Sequence, residues 1–358
     1  MAPAKNRSGF RTEIIESPAL YCGSLEVTED AGSRGRRLSG TRFKSLLIPF
    51  FYWLIRHTPV SVALLPVRLI VGVMGVLYVW RNNPLRLSCE YICHIAANAG
   101  YQHDPAQIYR QYLANVRAIA ENYFQLYRYG IDSVADRVEI PAEDGARIHA
   151  LRDAHGGLII TASHNLASAF SALKMNRVFP VLLVARNPST IARTRAALDI
   201  FDRMEVKILM VRGGNPFELS RAMFAGLKDG KVICATLDNI DHSEQAVAAQ
   251  IFGQKIGFPS WAARIATRRG IPMVPSWYKL DGTAIRAVYG EALITDDLER
   301  MVAHSVAFFE RTILEDPANW AYLGDRRWRR VLRKAVAGHD GNSRAGSGTR
   351  PRRTDPGG

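Results

Sequence analysis

The residues best placed for chemistry fall at the ends of short apolar runs. The run LIITA (158–162) ends in Ser163-His164, and a helical pattern follows. A histidine at a strand-to-helix junction meets the positive end of the helix dipole, which disfavours its protonated form. A neutral imidazole is what a general base needs, so His164 is a candidate base; a cap or a satisfied polar residue is the plainer alternative at the same place. The run VLLVA (181–185) ends in Arg186-Asn187-Pro188, and KILMV (207–211) ends in Arg212-Gly213-Gly214-Asn215, with Pro216 opening a helix. An arginine beside a Gly-Gly turn and a helix N-terminus suits a phosphate. A tight turn asks for the same two glycines. The run VICAT (232–236) ends in Leu237-Asp238-Asn239, where Asp238 suits a cap, a cation ligand or a carboxylate that orients another side chain.

These runs, together with MVPSW (273–277), are separated by helical candidates near 166–176, 189–204, 216–228 and 260–269. Near-continuous apolar strands alternating with helices predict an α/β fold with a mostly parallel sheet covered on both faces. In such sheets ligands bind beyond the carboxyl ends of the strands, where the candidate residues lie. Residues 85–130 read as amphipathic scaffold helices, with Ile108, Tyr112, Leu113 and Val116 at helical spacing.

The most apolar stretch is 46–80, interrupted by Arg56, His57 and Arg68 and by Pro49, Pro59 and Pro66. Ser61–Trp80 could span a bilayer only with Arg68 near its centre, which is costly. The expectation is one or two helices lying in the membrane interface, with Tyr52, Trp53, Tyr78 and Trp80 at headgroup level and Arg42, Lys44, Arg81 and Arg86 as flanking cations. A hydrophobic hairpin packed on the domain is the alternative. Residues 1–40 read as a flexible tail, 41–84 as apolar membrane-contacting helices, 85–335 as the α/β domain and 336–358 as a disordered basic tail.

The net charge of +14 favours anionic partners, including nucleic acid, anionic lipid and acidic carrier proteins. No zinc-finger, RNP-type or bZIP-like pattern is visible, so nucleic acid is not expected. The four cysteines fit no disulfide framework, and Cys89, Cys93 and His94 find no second cluster that would complete a metal site. Residues 326–334 hold Arg326, Arg327, Arg329, Arg330, Arg333 and Lys334, with Trp320, Tyr322 and Trp328 among or before them. Aromatics with arginines suit a headgroup interface, a solvated basic helix or a dock for an acidic carrier.

Taken in order, these features resemble the lysophospholipid acyltransferase superfamily, most closely its lipid A biosynthesis (lauroyl/myristoyl) acyltransferase branch. The matching residues are Gly156-Gly157-Leu158-Ile159-Ile160-Thr161-Ala162-Ser163-His164, Val184-Ala185-Arg186-Asn187-Pro188 and Lys228-Asp229-Gly230-Lys231-Val232 leading to Asp238. They continue through Phe252-Gly253 before Pro259, Ala263-Arg264-Ile265-Ala266 into Ile271-Pro272-Met273-Val274-Pro275, and Pro317-Ala318-Asn319-Trp320 before Arg326-Arg327-Trp328. The resemblance covers roughly 45–330. It implies transfer of an acyl group from acyl carrier protein or acyl-coenzyme A to a hydroxyl of a membrane lipid or glycolipid. The place implied is the cytoplasmic face of the inner membrane, at an anionic membrane surface. His164 would be the general base, Arg186, Arg212 and Arg327 anion contacts, and no cofactor or metal is required.

One departure bears on mechanism. The family follows its histidine five positions later with aspartate or glutamate, and this chain has Ala169 there. In the serine-protease template, replacing the orienting carboxylate lowers turnover ~10⁴-fold through the wrong tautomer. Three readings follow. Another group orients His164, either Ser168 at i+4 or, better, Asp238 from a neighbouring strand end. Alternatively, a different group is transferred, or catalysis is lost and lipid binding is kept as a membrane scaffold or regulator.

Overall fold

The computed structural model describes residues 10–30, 53–54, 57–211 and 216–346. The chain starts with β1 (Phe10–Glu16) and β2 (Ser24–Asp30), then α1 (Val60–Ala63), α2 (Leu65–Val76), α3 (Pro84–Asn98), α4 (Pro105–Tyr129) and α5 (Asp132–Ala135). Next come β3 (Val138–Glu139), α6 (Ala142–His155), β4 (Ile159–Ala162), α7 (Ser168–Val178), β5 (Val181–Ala185), α8 (Ile191–Arg203), β6 (Lys207–Met210), α9 (Pro216–Lys228) and β7 (Val232–Thr236). The chain ends with β8 (Val247–Ile251), β9 (Gln254–Phe258), α10 (Trp261–Arg269), β10 (Met273–Asp281), β11 (Ala284–Tyr289), α11 (Leu298–Glu315) and α12 (Arg326–Gly346).

Seven strands form one sheet in the order β3-β11-β10-β4-β7-β5-β6. The pairs β10–β4, β4–β7, β7–β5 and β5–β6 are parallel, and β11 runs antiparallel to β10. The expected α/β class and mostly parallel sheet are therefore present. The central strands are apolar throughout because helices cover both faces. Their side chains alternate between two cores: Ile233 and Ala235 of β7 enter one, and Val232 and Cys234 the other. The chain leaves β4 for β5 and returns to insert β7 between them, so the carboxyl ends of β4 and β7 lie side by side.

Residues 10–30 correct the expected flexible tail. They form an antiparallel hairpin with Phe10 opposite Asp30 and Glu16 opposite Ser24. Ile15, Ala19, Leu20 and Val27 are buried against Ile191, Leu198, Ile208 and Met210. The backbone bonds of Tyr21 N–H to Ile208 O (3.0 Å) and Ile208 N–H to Ala19 O (2.8 Å) cap the exposed edge of β6, a strand edge that is costly to leave open. The far end differs too. α12 continues to Gly346, so 336–346 is helical rather than disordered. Trp328, Val331, Leu332 and Ala335 anchor the first turns in the core, and a helix once anchored extends cheaply.

The apolar segment is helical from Val60 to Val79 apart from a turn at Leu64, and by length and composition it is long enough to cross a bilayer. Only 11% of it is buried. One side lies along α4: Ala63 and Leu64 pack on Phe124, and the Tyr109 hydroxyl donates to Met74 O (2.6 Å) near the other end. Asn83 donates to Leu77 O (2.9 Å) and Arg86 to Tyr78 O (3.0 Å), which satisfies carbonyls that the helix end leaves open. Leu65, Leu69, Ile70, Val73, Val76, Val79 and Trp80 face outward and are exposed. Arg42, Lys44, Tyr52 and Arg56 lie outside the described residues.

Candidate active site

His164 follows β4 by two residues, and Asp238 follows β7 by two. Because Ala162 pairs with Thr236, the two strand ends are in register and bring these side chains together. The imidazole Nδ1 lies in a short contact with Asp238 Oδ1. The same oxygen accepts the His164 backbone N–H at 2.8 Å. The other carboxylate oxygen accepts the indole N–H of Trp320 at 3.0 Å, and the Asp238 carbonyl accepts that of Trp328 at 3.2 Å. The Asp238 side chain is 0% exposed, whereas that of His164 is 29% exposed. A buried carboxylate is stable only with donors around it, and this one is surrounded by donors.

A carboxylate accepts but cannot donate, so Nδ1 carries the proton and Nε2 is left as an acceptor. The Thr236 hydroxyl lies 3.1 Å from Nε2 and is positioned to donate to it. Strand alternation explains the arrangement: Thr236 and Asp238 are two apart, share a face and bracket one ring, one residue at each nitrogen. Tyr322 closes one side of the imidazole, stacked at 4.3 Å between centroids and 30° between planes. Its hydroxyl donates to Asn239 Oδ1 at 2.7 Å. Burial, and then the neighbouring Asp238 carboxylate, push the Tyr322 hydroxyl well above its usual range, so it remains a neutral donor.

The backbone around His164 is tied to its neighbours. Ala321 N–H donates to His164 O (2.9 Å) and Leu166 N–H to Asn319 O (3.1 Å). The buried Asn165 side chain donates to Tyr278 O (2.7 Å) and accepts Ala167 N–H (2.8 Å). Ser168, expected as a possible partner of His164, is instead spent on this turn. Its hydroxyl donates to Asn165 O (2.9 Å) and accepts Asn165 N–H (3.1 Å), the local bonding that serine favours at helix starts. Ala169 packs with the apolar residues of the core beneath α7.

Arg186 is exposed just past β5, one strand from Thr236. Arg327 is exposed at the start of α12, and its charge reaches Tyr322, whose ionised form it favours. Arg212 and the Gly213-Gly214 turn lie outside the described residues. Trp320 and Trp328 correct the expected headgroup placement. They are 0% and 2% exposed and meet edge to face at 5.2 Å, because their N–H groups are needed by Asp238. The sequence reading missed Thr236. Its signal was the Thr236-Leu237-Asp238 alternation at a strand end. On the face of β7 that Leu237 occupies, Leu237, Phe258, Met273, Val306 and Phe309 help line a cavity of about 10 Å³. That is room for about one water, not an acyl chain.

The sequence profile of the bacterial lipid A biosynthesis acyltransferase family matches residues 44–330. No curated protein matches the chain at a significant level. With most of its length matched, the chain belongs to that family, and acyl transfer to a lipid-like acceptor is the activity the family implies.

Proposed function

We propose that this family member transfers an acyl group from a thioester donor, acyl carrier protein or acyl-coenzyme A, to a hydroxyl of a membrane lipid or glycolipid, with His164 as general base and Asp238 as its orienting carboxylate. The observation that carries the reading is the buried Asp238 carboxylate at Nδ1 of a partly exposed His164. It supplies from β7 what Ala169 cannot supply from α7. With Nδ1–H held, Nε2 takes the proton of the attacking hydroxyl, and the imidazolium that forms is stabilised by Asp238 and by the face of Tyr322. The thiol of the donor leaves with that proton. A lipid-binding relative without catalysis needs no such pairing and no solvent access to His164.

Membrane contact at the cytoplasmic face of the inner membrane belongs to the same proposal. The Val60–Val79 helix lies along α4 between Phe124 and Tyr109, about 22 Å of helix at 1.5 Å per residue. α4 carries exposed Arg110, Arg117 and Arg128 and belongs to the domain, so it cannot enter the hydrocarbon with its neighbour. The apolar helix therefore rests in the interface with its exposed face toward lipid. Arg186, Arg212 and Arg327 contact acceptor or donor phosphates, and the remaining arginines of α12 meet an anionic surface.

The test is lipid mass spectrometry on cells carrying the wild type, His164→Ala or no protein. A lipid species gaining one acyl mass with wild type alone is expected. An identical lipid profile with His164→Ala and wild type would remove His164 as the base.

A further inference from the structure

We propose that Asn115 of α4 is a positioning residue for the catalytic pair, holding His164 and Asp238 in place through the strap 316–321. The proposal rests on the reading of His164 as base and Asp238 as its orienting carboxylate, and extends it. The strap joins α11 to the segment before α12, and it grips both partners. Trp320 donates its indole N–H to Asp238 Oδ2 (3.0 Å). Ala321 N–H donates to His164 O (2.9 Å), and Asn319 O accepts Leu166 N–H (3.1 Å). Asn165 and Trp320 therefore face each other as an isolated antiparallel bridge. A displacement of the strap would move the histidine backbone and the carboxylate together.

The strap has little regular structure of its own: a single 3-10 turn over Pro317–Asn319, a conformation with poor internal hydrogen bonds. Buried amides fix it from outside. The Asn115 amide nitrogen donates to Ala318 O (3.1 Å) and to Asn319 Oδ1 (3.1 Å). The Asn115 oxygen accepts from Gln111 Nε2 (2.9 Å). Asn319 carries the tie onward, donating to Asp316 Oδ2 (2.6 Å). Asn115 and Asn319 are 1% and 2% exposed. Buried amides lose heavily when a partner is withdrawn, so this set of bonds favours one position of the strap.

The helix that supplies Asn115 also carries the apolar helix. At 3.6 residues per turn, Asn115 lies on the flank of α4 opposite Tyr109 and Phe124, the residues that meet the apolar helix. One rigid element thus holds the lipid-facing segment on one side and the catalytic strap on the other. Asn122, two turns further on, shares the flank of Asn115 and is also 1% exposed. It donates to Thr283 O (3.0 Å) and accepts from Arg137 (2.9 Å). That ties α4 to the turn between β10 and β11, outside the bonds that lead to His164. The two asparagines are alike in burial and bonding and differ in what they hold. A structural role predicts similar behaviour of the two, and a positioning role separates them.

The test uses full-length protein in vesicles made from the total lipid of cells lacking it, with dodecanoyl-coenzyme A and, separately, dodecanoyl-acyl carrier protein as donor. Transfer to lipid gives kcat and the donor KM, and a melt on each variant shows that it is folded. Asn115→Ala should lower kcat by about a hundredfold, the scale of a catalytic group displaced by about 1 Å, with KM within about threefold of wild type. Asn115→Asp, which keeps the volume but not the amide donor, should do the same and serves if the alanine variant does not fold. Asn122→Ala should lower the melting temperature and keep kcat within about threefold. Asn115→Ala combined with Trp320→Phe should fall no more than about threefold below the worse single variant, because neighbours on one path are not additive. A folded Asn115 variant with kcat near wild type, an equal loss in Asn122→Ala, a loss carried by KM, or single losses that multiply in the double variant would each remove Asn115 as a positioning residue while His164→Ala stays dead. If His164→Ala is active, or the wild type uses neither donor, the reading beneath the proposal falls and the proposal with it.

Discussion

Two segments of this chain share a composition of tryptophan, arginine and apolar residues and do opposite things with it. Along 53–80, Trp53 and Trp80 are each 56% exposed, and a row of aliphatic side chains faces outward. Along 320–334, Trp320 and Trp328 are buried, and Arg326, Arg327, Arg330, Arg333 and Lys334 face outward. A buried polar partner holds the second pair inside. Both tryptophans of the second segment deliver their N–H groups to Asp238, one to the carboxylate and one to the backbone carbonyl. An aromatic residue near arginines is drawn inside where the fold places a buried acceptor beside it.

The largest expected effect sits on the buried side. Trp320→Ala should cost about 3–5 kcal/mol of stability, the range for emptying a packed aromatic site. Trp80→Ala should stay within about 0.5 kcal/mol. Denaturant melts of both variants check the contrast, and equal losses would break it. Next, Ile70→Glu should leave the melt unchanged and weaken binding to anionic vesicles by about 1.5–3 kcal/mol, the burial worth of the lost side chain. A cosedimentation isotherm reads that value directly. Trp320→Phe sharpens the comparison from the other direction. It keeps a ring but strands a buried carboxylate oxygen, which should cost about 1–3 kcal/mol and reduce turnover, because Asp238 is less firmly held. The smallest effect belongs to the outer face of α12. Arg330→Gln should weaken vesicle binding by about 1 kcal/mol, a difference that disappears as salt is raised. If the loss persists in high salt, Arg330 makes a specific contact rather than a field contribution.

The same contrast explains what could be read in advance. The strands at 158–162, 181–185, 207–211 and 232–236 were legible because burial on two faces leaves an unbroken apolar run. The hairpin at 10–30 was not, because a two-stranded cover needs few buried side chains: in FRTEIIE only Ile15 is fully buried, and charged, polar and apolar residues share the outer positions. His164 was visible from its strand-to-helix junction, and Asp238 from its strand end. Their meeting depends on β7 inserting beside β4, which strand order decides and local sequence does not. Thr236 was hidden because threonine in an apolar strand is ordinary, and its importance comes from the ring that lies against it. Ser168 was at the right spacing for a helical neighbour. It was drawn away because the chain turns at Asn165 before the helix begins, and the turn claims the hydroxyl.

The central claim is that Asp238 replaces the acid missing at Ala169, and Asp238→Asn tests it most directly. Asparagine keeps the shape and an oxygen for the Trp320 N–H, but it no longer fixes the proton on Nδ1. Acyl transfer by purified protein in vesicles, measured beside a melt, should fall by about 10⁴-fold, the loss seen when an orienting aspartate becomes asparagine, with the fold retained. A folded Asp238→Asn protein that transfers acyl groups within tenfold of the wild type would contradict the account.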